Sequence, residues 1–475
     1  MELRTIIGLE IHVELATKTK MFCPCKNEFG QAPNTNICPI CLGHPGALPN
    51  MNNKAIEYAV MAGLAFECEI RDRFKMDRKK YFYPDLVKGY QITQEDMPLC
   101  EHGKITIESK NGPKDIRIRR IHIEEDTGKS IHNEEGNTLM DYNRSGVPLI
   151  EIVSEPDMNT PEEARAFLDM LRERIKFLGI SDVKMAEGSL RCDVNINVKT
   201  DDGFKTEISE IKNLNSFKSV SKALEYEQQR HEKLAKDRNP GEKETRRWSE
   251  EEMATIPMRH KEEGNDYRFS VEGDIPFTQL PEKFIENIKH QLPELPHDKM
   301  ERFIDDYQLD DYDADILTRN KALADFFEDV TNKVKDPAMV SNWILTDVMR
   351  RVNEHEMEFE EINITAKDLA TLLEYVKEGK INQNTGKKVL RKMFEEDVDP
   401  KTYIEKEGLL QMSDTSELEE VVDQVLAENP ESIEAIKGGK DRAIGFLVGQ
   451  CMKATRGKGN PQMFNEMIRE KIKEM

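Results

Sequence analysis

The stretch IIGLEIHVEL, residues 6–15, limits the possible folds more than any other. Its residues alternate. Leu9, Ile11, Val13 and Leu15 fall on one side of an extended chain, and Glu10, His12 and Glu14 on the other. A helical period would mix the two sets, so the segment is a strand with an apolar face and an ionisable face. The runs ITIES, DIRIRRIHIEE, PLIEIVSE and CDVNINVKT repeat the period of two. Helices do not separate these runs regularly, which favours an antiparallel or mixed sheet over a doubly wound one. The fold class expected is α+β.

Two helices are legible among the strands. In TPEEARAFLDMLRERIKFLG, Thr160 is placed to cap, Pro161 suits the first turn, Glu163 completes a capping box and Gly179 ends the helix. VSKALEYEQQRHEKLAK is the second. The pattern changes at HQLPELPHDKM, after which only helical periodicity remains. Three parts are expected: an α+β domain over 1–292, an all-α domain over 293–406 and a small all-α tail over 407–475, where Ser416 and Glu419 have capping-box spacing.

Cys23, Cys25, Cys38 and Cys41 form C-x-C, twelve residues, then C-x-x-C. Two close pairs on opposed turns suit four thiolates around one tetrahedral zinc, with no position left for substrate. The loop 23–41 therefore reads as a structural staple, and four metal-free thiols are the alternative. Cys68, Cys100, Cys192 and Cys451 are isolated and read as small core residues.

Carboxylates recur near strand ends: Glu124, Glu125 and Asp126; Glu151 and Glu155; Glu207 and Glu210. Solvated faces would account for each singly. Together with Glu10 and His12 they suggest a divalent cation, Mg²⁺ by the oxygen-rich set, with Mn²⁺ open because of the imidazole. Cations are interleaved: Arg78, Lys79, Lys80, Lys88, Arg144, Arg191 and Arg246. Metal beside fixed cations suits phosphoryl transfer. TGKS at 127–130 is not a phosphate loop, because the glycine required five residues before Gly128 is Ile123.

The net charge of −22 excludes nucleic-acid binding through overall charge, so RNA contact needs a local basic patch or a partner. Lys387, Lys388, Arg391 and Lys392 form one such cluster, and Lys453, Arg456 and Lys458 a second, flanked by glycines. No run is apolar enough to span a membrane, and the N-terminus reads as no export signal, so a cytoplasmic location is expected.

GLEIHVEL, DRKKYFYPDLVKGYQITQ, HIEEDTGKS, YNRSGVPLIEIVSEPD, EGSLRCDVN, EIKNLNSF, ETRRW, MRHKEEGNDYRF and ATRGKGNPQ stand in this order along nearly the whole chain. In these blocks the chain resembles the family of the B subunits of the aspartyl/glutamyl-tRNA(Asn/Gln) amidotransferases. The resemblance implies a first domain similar in fold to glutamine synthetase and the guanidino kinases. It implies an ATP-dependent ligase that phosphorylates the side-chain carboxylate of Glu-tRNA(Gln) or Asp-tRNA(Asn), then amidates it with ammonia. Glu10 and His12 would hold metal, Glu125 and Glu151 would complete the sphere, with Glu124 and Glu210 close by. Glu14 reads as a flanking surface acid. Lys79, Tyr81, Lys88, Tyr90 and Asp193 would line an ammonia route, for which a packed amphipathic hairpin is the alternative. The chain lacks the Ser- and Gly-rich signature of an amidase, so ammonia would come from a partner. In the family this is the separate amidase, or A, subunit, and a small C subunit braces the pair in a heterotrimer. The departure is DYRFSVEGDIPF, 266–277, where the family's tyrosine and prolines after Arg268 are replaced. A non-catalytic zinc-containing tRNA adaptor is the alternative reading. A ligase acting on free glutamate is weaker, since a small substrate needs no basic helical tail.

Overall fold

A computed structural model describes residues 2–133, 135–260, 267–355, 357–410, 415–437, 442–455 and 459–474. The chain divides into two compact units, Met1–Leu295 and Pro296–Met475. The first is α+β around a large mixed sheet, and the described part of the second is helical.

Nine strands form the main sheet: β1 (Leu3–Glu14), β2 (Glu69–Ile70), β3 (Cys100–Ser109), β4 (Gly112–Glu125), β5 (Pro148–Ser154), β6 (Leu190–Thr200), β7 (Ser209–Lys212), β8 (Glu244–Ser249) and β9 (Ala254–His260). Their order is β9-β8-β7-β6-β1-β5-β4-β3-β2. Every pairing is antiparallel except β7 with β8. Thus β1 lies in the middle, between β5 and β6. Its Ile7, Leu9, Ile11 and Val13 are fully buried with α1 (Asn53–Ala65), α2 (Pro161–Leu178) and α3 (Phe217–Lys236) in one core. Burying that face leaves the Glu10–His12–Glu14 face for chemistry.

Local signals place these helices. Thr160 caps α2 by accepting from the Glu163 N–H at 3.2 Å, Pro161 occupies the first turn, and Gly179 closes the helix at φ +68°. The reciprocal half of the box differs from expectation. Lys114 at 2.7 Å holds the Glu163 carboxylate, which accepts from the N–H of Asn159 instead of that of Thr160. In the second unit, the described part of the tail helix begins at Thr415, which places Ser416 within it. That unit contains two separate apolar clusters, one around Phe327 and Trp343 and one around Leu447 and Phe464. The isolated cysteines are core residues: Cys68, Cys100 and Cys192 in the first unit, Cys451 in the second. No described helix is long and apolar enough to cross a membrane.

Candidate active site and metal centres

Register assembles the first site. Glu151 on β5 faces His12 on one side and His122 on β4 on the other, and His12 also faces Arg191 on β6. One row across four strands therefore reads His122–Glu151–His12–Arg191. Two residues along, Glu10 faces Asp193, whose carboxylate pairs with Lys212 on β7 at 2.5 Å. Glu124 reaches the first row diagonally. His12 Nε2 lies 3.3 Å from Glu124 Oε1 and 3.2 Å from Glu151 Oε2. His122 Nε2 lies 3.5 and 3.6 Å from the same two carboxylates. Thr93 donates to Glu124 at 3.1 Å.

The electrostatics follow from burial and this clustering. Burial by itself pulls the His12 pKa down, but hydrogen bonds and charge from Glu124 and Glu151 overcome it and raise it to about 10. Burial likewise opposes ionisation of Glu124, and His12 and His122 together hold it well below the usual carboxylate range. Glu10 is raised, by burial first and then by the Glu151 charge. Glu14 is not the surface acid expected from sequence. Burial, then the neighbouring Asp126, pushes it up to about 8.

Donor atoms of Glu10, His12 and Glu151 lie within 4.8 Å of one another, as do those of His122, Glu124 and Glu151. Protonated His12 offsets the charge of these carboxylates as they stand, and with a neutral imidazole the oxygen-rich set Glu10, His12 and Glu151 has the donor chemistry to hold Mg²⁺ or Mn²⁺ in its place. Sequence reasoning passed over His122. Its Nδ1 is buried without a hydrogen-bond partner. The alternation in RIHIEE was the available signal, since it places His122 and Glu124 on one face as Glu10 and His12 are on β1.

Other expected residues are brought near the cluster without joining it. Glu125 turns to the Lys88 ammonium and accepts from the Ile92 N–H at 3.0 Å. Glu210 bonds Thr245 and Lys212, at 2.9 and 3.2 Å, and shares with Glu10 a cavity of about 320 Å³. Arg191 contacts Asp126 at 2.6 Å, and Arg144 lies 3.5 Å from the same carboxylate.

The Lys/Tyr segment forms a hairpin, 77–80 against 90–93. Lys79 lies 4.6 Å from the centre of the Tyr267 ring and 5.9 Å from that of Tyr81. Lys80 faces Tyr90. Arg78 lies over Tyr90 at 4.3 Å and is held by the fully buried Glu272 through two bonds of 2.7 Å. The divergent 269–273 segment thus supplies a lock for Arg78. Asp193 is not part of this group, since it sits with Lys212 on the far side of β1. Arg246 is removed from the cluster altogether. It lies 3.1 Å from Glu227 of α3 and 3.0 Å from Glu244. TGKS runs into a strand, Lys129–His132, not into the helix a phosphate loop requires.

The second centre is the thiol set. Cys23, Cys25, Cys38 and Cys41 place their sulfurs within 4.8 Å of one another, which allows them to bind a metal such as zinc. Bonds of ~2.3 Å in a tetrahedron put sulfurs about 3.8 Å apart, so the set fits. Lys20 is fully buried beside it, donating to Asn36 O at 2.9 Å and lying 3.8 Å from Cys41 Sγ.

On the second unit's helix Gln383–Glu396, Lys387 pairs with Asp347 at 3.2 Å, Arg391 with Glu395 and Lys392 with Glu396, both at 2.6 Å. Lys388 and Lys453 are exposed, and Arg456 and Lys458 lie outside the described residues. Gly459 has its own packing reason, because a Cβ there would meet the Phe464 ring at 2.0 Å.

Residues 5–286 match the GatB/GatE catalytic domain, and residues 325–472 match the GatB domain that follows it in the family. The chain belongs to the GatB family. The aspartyl/glutamyl-tRNA(Asn/Gln) amidotransferase B subunit of Finegoldia magna is 69% identical over 473 residues, covering 99% of this chain and 100% of that protein. The corresponding B subunits of Clostridium tetani and Thermoanaerobacter pseudethanolicus are each 48% identical, both covered completely. The row His122–Glu151–His12 and its flanking acids lie within the matched catalytic domain of this GatB-family chain.

Proposed function

We propose that the chain is the B subunit of an ATP-dependent tRNA amidotransferase and that its sheet carries the phosphoryl-transfer site. The convergence of Glu10, His12, Glu124 and Glu151 in the family's catalytic domain supports this reading above all. An adaptor has no use for buried carboxylates and imidazoles gathered on one sheet face.

A side-chain carboxylate is a poor electrophile, so one of its oxygens must first become a leaving group. The carboxylate of Glu-tRNA(Gln) or Asp-tRNA(Asn) attacks the γ-phosphorus of ATP, giving an acyl phosphate and ADP. Ammonia then displaces inorganic phosphate and loses a proton, leaving the amide. Glu10, His12 and Glu151, with Glu124 and His122 adjoining, would hold Mg²⁺ or Mn²⁺, which would supply charge neutralisation for the transferring oxygens. Glu125 and Glu210 stand beside this set. Arg191 and Arg144, with Asp126, lie at its end to steer anionic groups. Arg78 and Arg246 serve instead to brace the hairpin and the β8 region. Lys79, Tyr81, Lys88 and Tyr90 offer polar groups for an ammonia route, and Asp193, held by Lys212 on the far side of β1, stands apart from it. Ammonia comes from a separate amidase, the A subunit, which joins this chain and a small C subunit in a cytoplasmic heterotrimer. The four thiolates hold a structural Zn²⁺. The first unit shares the glutamine synthetase and guanidino kinase fold. The helical part works as two domains, 293–406 and a tRNA-binding tail, 407–475.

The test is amidation of Glu-tRNA(Gln) by the chain in complex with the amidase and the small subunit, given ATP, glutamine and Mg²⁺. Glu151→Gln should lower the rate at least ~100-fold while tRNA binding persists. Equal product from the variant would remove the site from this sheet and favour the adaptor.

A further inference from the structure

Between α2, the loop 181–189 and the start of α3 lies a cavity of about 440 Å³ that the amidotransferase chemistry does not use. Its ten lining residues include Arg165, Arg172, Lys184 and Lys218, and none is acidic. In a chain of net charge −22, four cations around one hollow with no lining acid form a local reversal of sign. Arg165 and Arg172 are seven residues apart on α2 and so share one face. Their guanidinium groups lie 5.3 and 5.8 Å from the Phe217 ring, which holds them in place. Arg165 is also tied to Asp169 and Lys184 to Glu187. Among the described residues, neither Arg172 nor Lys218 has a carboxylate within ion-pair distance, and both are exposed. Lys218 stands in the first turn of α3, which has no acidic residue there.

The loop 181–189 joins this hollow to the catalytic face. Its Lys184 lines the basic cavity, and its Glu187 lines a second cavity with Glu14 and Arg144. The loop then runs into Leu190 and Arg191, and Arg191 pairs with Asp126. It holds Val183, a β-branched residue, at φ +47°, a conformation that other packing must impose. An anion gripped by Lys184 therefore sits on the same short loop as Glu187, at the edge of the site.

We propose that this cavity binds the phosphodiester backbone of the acceptor end of the tRNA. The inference rests on the amidotransferase reading, which requires the aminoacylated 3′ end to reach the carboxylate row. Cations spread over two helices and a loop suit a run of phosphates.

The test uses the full chain, a minihelix carrying the tRNA(Gln) acceptor stem and an anticodon-arm hairpin of equal length. Arg172→Ala with Lys218→Ala should weaken minihelix binding roughly tenfold at ~0.1 M salt and flatten its log–log salt slope by about 2. Arg172→Lys should restore most of that slope. Hairpin binding, which depends on the second unit in this reading, should be unchanged. An unaltered affinity and slope for the minihelix would overturn the proposal, as would equal weakening of both RNAs, which marks a general polyanion surface. Amidation by the wild-type complex is assayed in parallel. A wild type that amidates while the variant keeps its KM for tRNA sinks this proposal alone. A wild type that does not amidate sinks the functional reading, and the minihelix assay still judges the cavity.

Discussion

Glu227→Gln tests whether Arg246 is a structural cation or a substrate-binding one. The Glu227 side chain is fully buried on α3. It accepts from Arg230 at 2.7 Å and lies 3.1 Å from Arg246 and 3.3 Å from His231, with Thr255 also in contact. Burial by itself would raise its pKa, but the His231 and Arg230 bonds overrule that and bring it to about 2. A carboxyl moved from an ordinary 4.5 to about 2 contributes up to about 3 kcal/mol, at 1.36 kcal/mol for each pH unit between them. The folded pKa is depressed, so this stability is complete above pH 4.5 and is lost as pH falls toward 2. Roughly 1 kcal/mol should be gone at pH 4 and about 2 kcal/mol at pH 3.

Replacement by Gln removes this titration. The stability gap between wild type and Glu227→Gln should therefore shrink by about 2 kcal/mol from pH 6 to pH 3, while every other carboxylate cancels in the difference. Urea unfolding followed by Trp248 fluorescence in a Trp343→Phe background reports on the first unit, because these are the chain's two tryptophans. Trp248 is buried two residues from Arg246. A gap that does not change with pH would refute the buried network and return Arg246 to the candidates for binding phosphate.

Two further outcomes concern the thiol loop. Lys20 is fully buried with no carboxylate in ion-pair range among the described residues and lies 3.8 Å from Cys41 Sγ, so thiolates formed on metal binding would face its amine. Lys20→Met should lower zinc affinity about 10- to 100-fold in chelator competition, and unchanged competition would show the lysine to be inert. Gly43 sits at φ +62°, and a Cβ there would meet Lys88 Cγ at 2.3 Å. Gly43→Ala should push Lys88 off Glu125 and cost about 1–3 kcal/mol. Gly46→Ala, strained at φ +82° but in open space, is the control. Equal urea midpoints for the two variants would mean that the loop does not bear on Lys88.

What the sequence disclosed was local. The period of two in IIGLEIHVEL marked β1 and its ionisable face, and Thr160 with Pro161 and Gly179 marked both ends of α2. The thiol set was legible because four ligand residues lie within one loop. What sequence could not show was register. Glu124, Glu125 and Asp126 are neighbours in the chain and were read as one set. A strand sends consecutive side chains to opposite sides, so Glu124 meets His12 while Glu125 meets Lys88. Arg246 was grouped with the other cations because nothing near ETRRW reveals that α3 brings Glu227 to Arg246 and Arg230 to Glu244.

The same reasoning explains why the site is built on central strands. His122, Glu151 and His12 come from three strands whose pairing is fixed by the buried Ile121, Ile123, Ile150, Ile152 and Ile11 behind them. A slip of one residue in β5 would turn Glu151 into the core and Ile150 or Ile152 onto the charged face. Burial of those isoleucines therefore selects the one register in which the acids and imidazoles align. The apolar face specifies the geometry of the polar one, and a cation at the site would offset the repulsion which that geometry creates.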